Sequence, residues 1–164
     1  MSTPLPAHRF LVSLDPTDAY LPPAQSALIT AIAAGQFSEV TGLGAQLGLL
    51  SVAEGGVNDY THQLPIRHTY PKLVLSRGVV RDPGLFFWYQ AGLTQSIGAR
   101  RDGAIILLTA LGIPAVGWIF QGGLASGWNG PSLKASANAT AVESIEITHE
   151  GLVQVPLLPP GPFA

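Results

Sequence analysis

The sequence predicts a mainly β fold: a small barrel or sandwich with one packed helix, and a second, short helix near the N-terminus. Three observations predict it. The stretch from Arg100 to Leu152 is a run of short apolar segments separated by Gly, Asn and Pro, the punctuation of an all-β domain. At 164 residues the chain is the size of one domain and can bury a real core. Hydrophobic residues make up 47% and charged residues only 11%, against the roughly 25% charged usual for a soluble domain. Such a chain cannot cover itself with charge and is expected to hide apolar surface against partners.

The elements follow in order. Phe10–Leu14 (FLVSL) is a compact strand closed by the turn-forming pair Asp15 and Pro16. After Pro22 and Pro23, residues Ala24, Ala27, Leu28, Ala31 and Ile32 recur at helical spacing and Gly35 stands at the cap, so a short amphipathic helix is expected between Tyr20 and Gly35. Phe37–Leu43 alternates imperfectly as a strand, Leu47–Val52 continues as another, and Glu54–Asp59 (EGGVND) is a loop. Tyr70–Val80 reads as a strand broken at Gly78. Asp82 and Pro83 give a cap and a first-turn proline for a helix over Gly84–Ile97, with Leu85, Trp88, Tyr89 and Leu93 sharing a face. Ala104–Leu108 is a strand, Leu111–Pro114 a turn, Val116–Gln121 a strand, and Val142–His149 the last strand. The tail has too many prolines to pair in a sheet interior and is expected either to lack order or to lie across a neighbour. The chain therefore reads as one domain over residues 1–152 with a Pro-rich tail at 153–164.

Composition excludes several classes. A net charge of −2 with a pI near 6.0 leaves no excess of cations to neutralise phosphates, which argues against a broadly basic nucleic-acid binder. With no cysteine, disulfides, thiolate metal sites and thiol nucleophiles are absent, as fits a reducing compartment. The first residues lack the pattern of a signal peptide, and Gly and Pro interrupt every apolar run short of the ~20 residues of a membrane span. A soluble chain, not exported by the general route, is the expectation. His8, His62, His68 and His149, with Glu54, Asp59 and Glu150 as further oxygen donors, show no metal-ligand spacing. No G-x-S-x-G elbow accompanies the Ser, His and Asp residues, and Gly42-Leu43-Gly44 lacks the third glycine of a dinucleotide loop. Asn138-Ala139-Thr140 matches a glycosylation sequon by coincidence. No enzyme and no cofactor are expected.

The residues carry a resemblance as well. FLVSL, FSEVTGL, EGGVNDY, LVLSRGVV and the aromatic helix start LFFWY occur in that order. They are followed by a basic pair before DGAIILL, Gly112-Ile113-Pro114, Trp118, Trp128-Asn129-Gly130-Pro131, Asn138, and Glu143 through Thr148-His149-Glu150-Gly151-Leu152. From Arg9 to Leu152 the chain resembles the tail tube proteins of contractile phage tails and of phage-tail-like contractile injection systems. The resemblance implies two packed β-sheets forming a barrel with one flanking helix, and six copies closing into rings that stack into a hollow tube. The implied partners are the chain itself, sheath and baseplate proteins, and cargo or DNA in the lumen, with assembly in the cytoplasm into a phage tail or injection particle and no membrane binding by the subunit. Against the family pattern, residues 15–36 are an insertion, Leu64-Pro65-Ile66 stands where Leu-Pro-Gly is usual, and residues 123–127 lack a proline. The insertion also suits the specialised tube-like protein that joins a tube to its baseplate.

Expected inter-subunit contacts are Glu54, Gly55, Gly56, Asn58, Asp59 and Tyr60 in the glycine-rich loop, Arg100 and Arg101, and Leu28 and Ile32 of the insertion. Arg100, Arg101 and Asp102 read either as a solvated turn after the helix or as a bridge to an acidic residue such as Glu54 or Asp59 on the next subunit. Glu143, on the face of Ile145 and Ile147, is either paired within the fold or turned to the lumen. A different class of function is a carbohydrate- or small-ligand-binding barrel with Trp118, Trp128 and Tyr89 as stacking platforms.

Overall fold

The structure, a computed structural model, describes residues 5, 7, 9–14, 37–56, 58–81, 83–95, 99–136 and 138–157. The inserted helix expected between Tyr20 and Gly35, with Leu28 and Ile32, lies outside the described residues, as does His8. Among the described residues there are nine strands and one α-helix: β1 Phe10–Leu14, β2 Glu39–Thr41, β3 Gln46–Val52, β4 His62–Thr69, β5 Leu73–Gly78, α1 Gly84–Gln95, β6 Arg101–Leu108, β7 Pro114–Asn129, β8 Val142–Thr148 and β9 Gly151–Pro156.

Seven strands form one antiparallel sheet in the order β1-β6-β7-β8-β5-β2, with β9 also paired to β7, while β3 and β4 form a separate two-stranded sheet. The long strand β7 joins two half-sheets. Its first part pairs with β6 and β9, and its second part, from Leu124, pairs with β8. Between them the strand bends at Gly122, whose φ of 61° lies in the left-handed region that a side chain resists. Register shifts between Arg101 and Gly103 and between Ala125 and Gly127 add the twist that folds one half-sheet over the other. The described strands run as an open path from β1 to β2, without closing into a barrel.

The core fills the space this bend encloses. Val12, Leu14, Ile105 and Phe120 from one half-sheet meet Leu73, Leu75, Ile145 and Ile147 from the other, and Leu85 and Trp88 of α1 close the open side. Each fully buried aliphatic side chain contributes about 1.5–3 kcal/mol of transfer free energy. In β5 and β8 burial alternates strictly, so these strands are paired in the one register that turns their apolar face inward.

The outcome differs from the sequence expectations at defined places. β2 keeps only Glu39–Thr41 of the expected Phe37–Leu43. β4 was not anticipated: Pro65 argues against a central strand, but β4 has β3 as its one paired neighbour, where proline is tolerated. β7 runs far beyond the expected Val116–Gln121, because its glycines bend the strand without ending it. The first tail residues, 153–156, pair as part of the edge strand β9, with Pro156 opposite Val116, while residues 158–164 lie outside the described residues. On α1, Leu93 does not share the buried face and is 70% exposed. Gly92 takes the core-facing position instead, where an added Cβ would stand 3.5 Å from both the carbonyl of Ala125 and the side chain of Leu124, so the helix approaches β7 closely. The chain beyond the helix is tied back to it by Trp88, whose indole Nε1 donates to the carbonyl of Ala99 at 3.0 Å.

Candidate functional site

The feature that the core leaves unexplained is the β3–β4 hairpin. β2 and β5 pair as the last ladder of the large sheet, and the chain leaves both in the same direction, through residues 42–45 and 70–72, into β3 and β4. The departure is fixed at Gly42, with φ of 88° and its α-carbon seated over the backbone of Lys72; a Cβ there would meet the carbonyl oxygen of Lys72 at 1.9 Å. On the other side of the base, the ring of Tyr70 lies between His68 and the buried His149, with centroids 6.4 and 5.2 Å away. His149 Nδ1 donates to the carbonyl of Gly151 at 3.0 Å.

Beyond this base the hairpin is exposed on both faces, yet its sequence is apolar. Leu47, Leu49, Leu50 and Val52 of β3 and Leu64 and Ile66 of β4 are all exposed. Leu50 stands opposite Leu64 and Val52 opposite His62, and alternation brings Ile66 to the same side. A ladder of two strands with uncovered apolar side chains is marginal alone in water and is a template for association. At its tip Glu54 accepts a hydrogen bond from His62 Nε2 at 2.9 Å, a turn forms at Gly55 and Gly56, and Asn58 and Asp59 are exposed. Tyr60 is exposed and meets the edge of His62. The structure thus brings together six of the expected contact residues, Glu54, Gly55, Gly56, Asn58, Asp59 and Tyr60, on one projecting tip. The flanking strand residues, which sequence reasoning did not name, carry most of its apolar surface. Their signal was there in the closely spaced Leu47, Leu49, Leu50 and Val52.

Arg100 and Arg101 belong to a different place, the bend of β7. Arg100 Nη1 donates to Glu150 Oε1 and to the carbonyl of Gly122, and Asp102 Oδ1 accepts from the Gly122 amide at 2.8 Å. Arg101 is not in a solvated turn: it is 2% exposed, on β6 opposite Gly123. Arg100 and Asp102 thus hold the bend at Gly122 within their own chain. Glu143 is paired within the fold, accepting from Arg77 Nε at 2.8 Å and from Trp128 Nε1 at 3.2 Å. Trp118, Trp128 and Tyr89 are half-buried and pack against the core.

A sequence profile of the family described as T4-like virus tail tube protein gp19 matches residues 6–153. No curated protein matches. Among solved structures, a chain of the anti-feeding prophage (AFP) baseplate, six-fold symmetrised, is 25% identical, with a TM-score of 0.77 over 94% of this chain and 97% of that one. A chain of the AFP tube-terminating cap is 20% identical, with a TM-score of 0.77 over 95% and 93%. A chain of the sheath–tube complex of PVC, an extracellular contractile injection system, is 19% identical, with a TM-score of 0.75 over 94% and 93%; at these identities the last two show the common fold. The family is one of structural tube proteins and not of enzymes. With its profile spanning β1 into β9, the chain belongs to the T4-like virus tail tube protein gp19 family.

Proposed function

We propose that this chain is a subunit of the inner tube of a contractile injection particle or phage tail, six copies forming a ring and rings stacking into a hollow tube. The observation that carries the reading is the β3–β4 hairpin, an apolar arm that its own subunit leaves uncovered. An exposed apolar hairpin is a liability in a monomer and an asset in an assembly, because obligate interfaces are the most apolar of protein surfaces. The open path of strands supports the same reading. Among the described residues β1, β2 and β9 each present an edge, and repeating one edge-to-edge contact around a rotation axis closes a ring in which the two edges it joins are no longer free. In such a ring the two half-sheets of each copy complete a barrel-like wall. The six-fold symmetry of the AFP baseplate structure supports six as the number and baseplate proteins as partners, and the sheath–tube complex of PVC supports sheath proteins as partners.

Within this function the hairpin tip, Glu54 to Tyr60, is the contact between rings. Concentrated protein, viewed by negative-stain microscopy, is expected to show hollow rings and tubes. Deleting residues 55–58 is expected to leave folded rings that no longer stack. A chain that sediments only as a monomer at all concentrations overturns the tube reading, and a deletion that also abolishes the far-ultraviolet β signature overturns the role of the tip.

A narrower reading, the adaptor between tube and baseplate, is supported by the insertion at residues 15–36 and by the similarity to a chain of the AFP baseplate. Replacing Leu28 and Ile32 with Asp is expected to block attachment while subunits still fold. Normal assembly of that variant into full-length particles removes the adaptor role.

A further inference from the structure

The two half-sheets have outward faces of opposite character. On the half-sheet of β2, β5, β8 and β7, the outward register row of Glu39, Ser76, Ser144 and Asn129 is polar, and Glu146 beside it is bonded to Lys72. This face is satisfied by water and by its own side chains. On the half-sheet of β1, β6, β7 and β9, the outward rows run Leu11–Ile106–Gly117–Val155 and Ser13–Ala104–Ile119–Val153, apolar but for Ser13. Leu11, Ile119 and Val153 are exposed there, and Asp102 at the bend is the one charged side chain on the outward positions of β6. A four-strand face this apolar and this uncovered needs a cover.

We infer that this apolar face receives the β3–β4 hairpin of a second copy of the chain, Leu50, Val52, Leu64 and Ile66 packing on Leu11, Ile106, Ile119 and Val153. The inference rests on the tube reading and adds to it the surface on which the arm docks. Both faces are mainly apolar, with His62 and His68 at the two ends of the hairpin face and Ser13 on the sheet face, so little polar surface is desolvated when they meet. Both are twisted antiparallel ladders, which pack face to face. Within one chain they do not meet: Leu11, Ile119 and Val153 on the one and Leu50, Val52, Leu64 and Ile66 on the other are exposed. Only another copy can bring them together, and the contact is head-to-tail, of the kind that propagates. Four side chains against four cover a few hundred Å², far below the ~1,200 Å² of an independently stable interface. The contact therefore holds only where ring closure repeats it, which keeps single subunits apart until they assemble.

The chain has no cysteine, so introduced thiols report single positions. Stacked sheets keep their backbones about 10 Å apart, beyond the reach of a disulfide, so a short thiol-to-thiol cross-linker is the probe. Leu64→Cys and Ile119→Cys proteins, mixed and assembled, are expected to give a cross-linked dimer, whereas Leu64→Cys with Ser144→Cys on the polar face gives none. Ile119→Asp, which leaves the hairpin intact, is expected to fold normally and lose tube formation. If tubes form but Leu64→Cys joins to Ser144→Cys or to neither, or if Ile119→Asp assembles as well as the parent, the docking surface is wrong while the tube reading stands. If the parent chain forms no assembly, both fall together.

Discussion

Arg77 and Glu143 face each other directly across β5 and β8, Nε to Oε1 at 2.8 Å, with side chains only 2% and 8% exposed. Both lie on the inward side of their strands beside Leu75 and Ile145, and Trp128 donates to the second carboxylate oxygen. A charge pair placed in a core is costly to desolvate, and the strands bring the two charges together in only one register. The pair thus acts against strand slippage.

Removing one member leaves the other charge buried. Glu143→Ala is expected to destabilise the unassembled subunit by about 3–5 kcal/mol, while replacing both with aliphatic residues, Arg77→Leu with Glu143→Leu, costs much less. Urea denaturation of the single and double variants checks this; equal losses would show that the pair carries no special coupling.

Gly42 makes a second prediction. A side chain there meets both the left-handed backbone and the carbonyl of Lys72, so Gly42→Ala costs at least about 1–3 kcal/mol from the strained backbone alone. The loss is expected at the hairpin base: amide exchange in β3 and β4 accelerates while β6 and β8 stay protected. Uniform loss of protection would place Gly42 in the core fold instead.

Glu146 gives a pH prediction. The hydrogen bond from Lys72, then that from Asn129, then the Lys72 charge, hold its carboxyl below its ordinary value of 4.5. A depressed folded-state value means that the pair stabilises the fold at neutral pH and that this contribution fades as pH falls through the lowered value. Lys72→Met is expected to move the Glu146 titration upward, read by carboxyl chemical shifts. Because both groups reach solvent, salt is expected to shrink the difference.

The hairpin gives a solubility prediction. Changing Leu50 and Leu64 together to Ser removes a facing apolar pair outside the core. The body is expected to keep its melting temperature and the chain to remain unassembled at concentrations where the parent forms tubes. A large fall in melting temperature would show that the hairpin is part of the cooperative core.

Much of this protein was legible in its sequence because local chemistry decided it. Short apolar runs bounded by turn residues marked β1 and β6, alternation marked β5 and β8, and the proline and glycine punctuation gave α1 and the EGGVND loop, since side-chain periodicity and backbone restriction act within a few residues. The family resemblance, carried by the order of many weak motifs, also needed no coordinates. Three matters only the tertiary structure decided. Whether Pro65 and Pro156 permit strands depends on which side of the ladder is unpaired, a property of neighbours distant in sequence. Whether Glu143 stood alone or met Arg77 depended on the β5–β8 register. The contrast between an apolar and a polar outward face emerged only when β7 bent at Gly122, because a strand pattern states that its two sides differ but not which side the rest of the chain will cover.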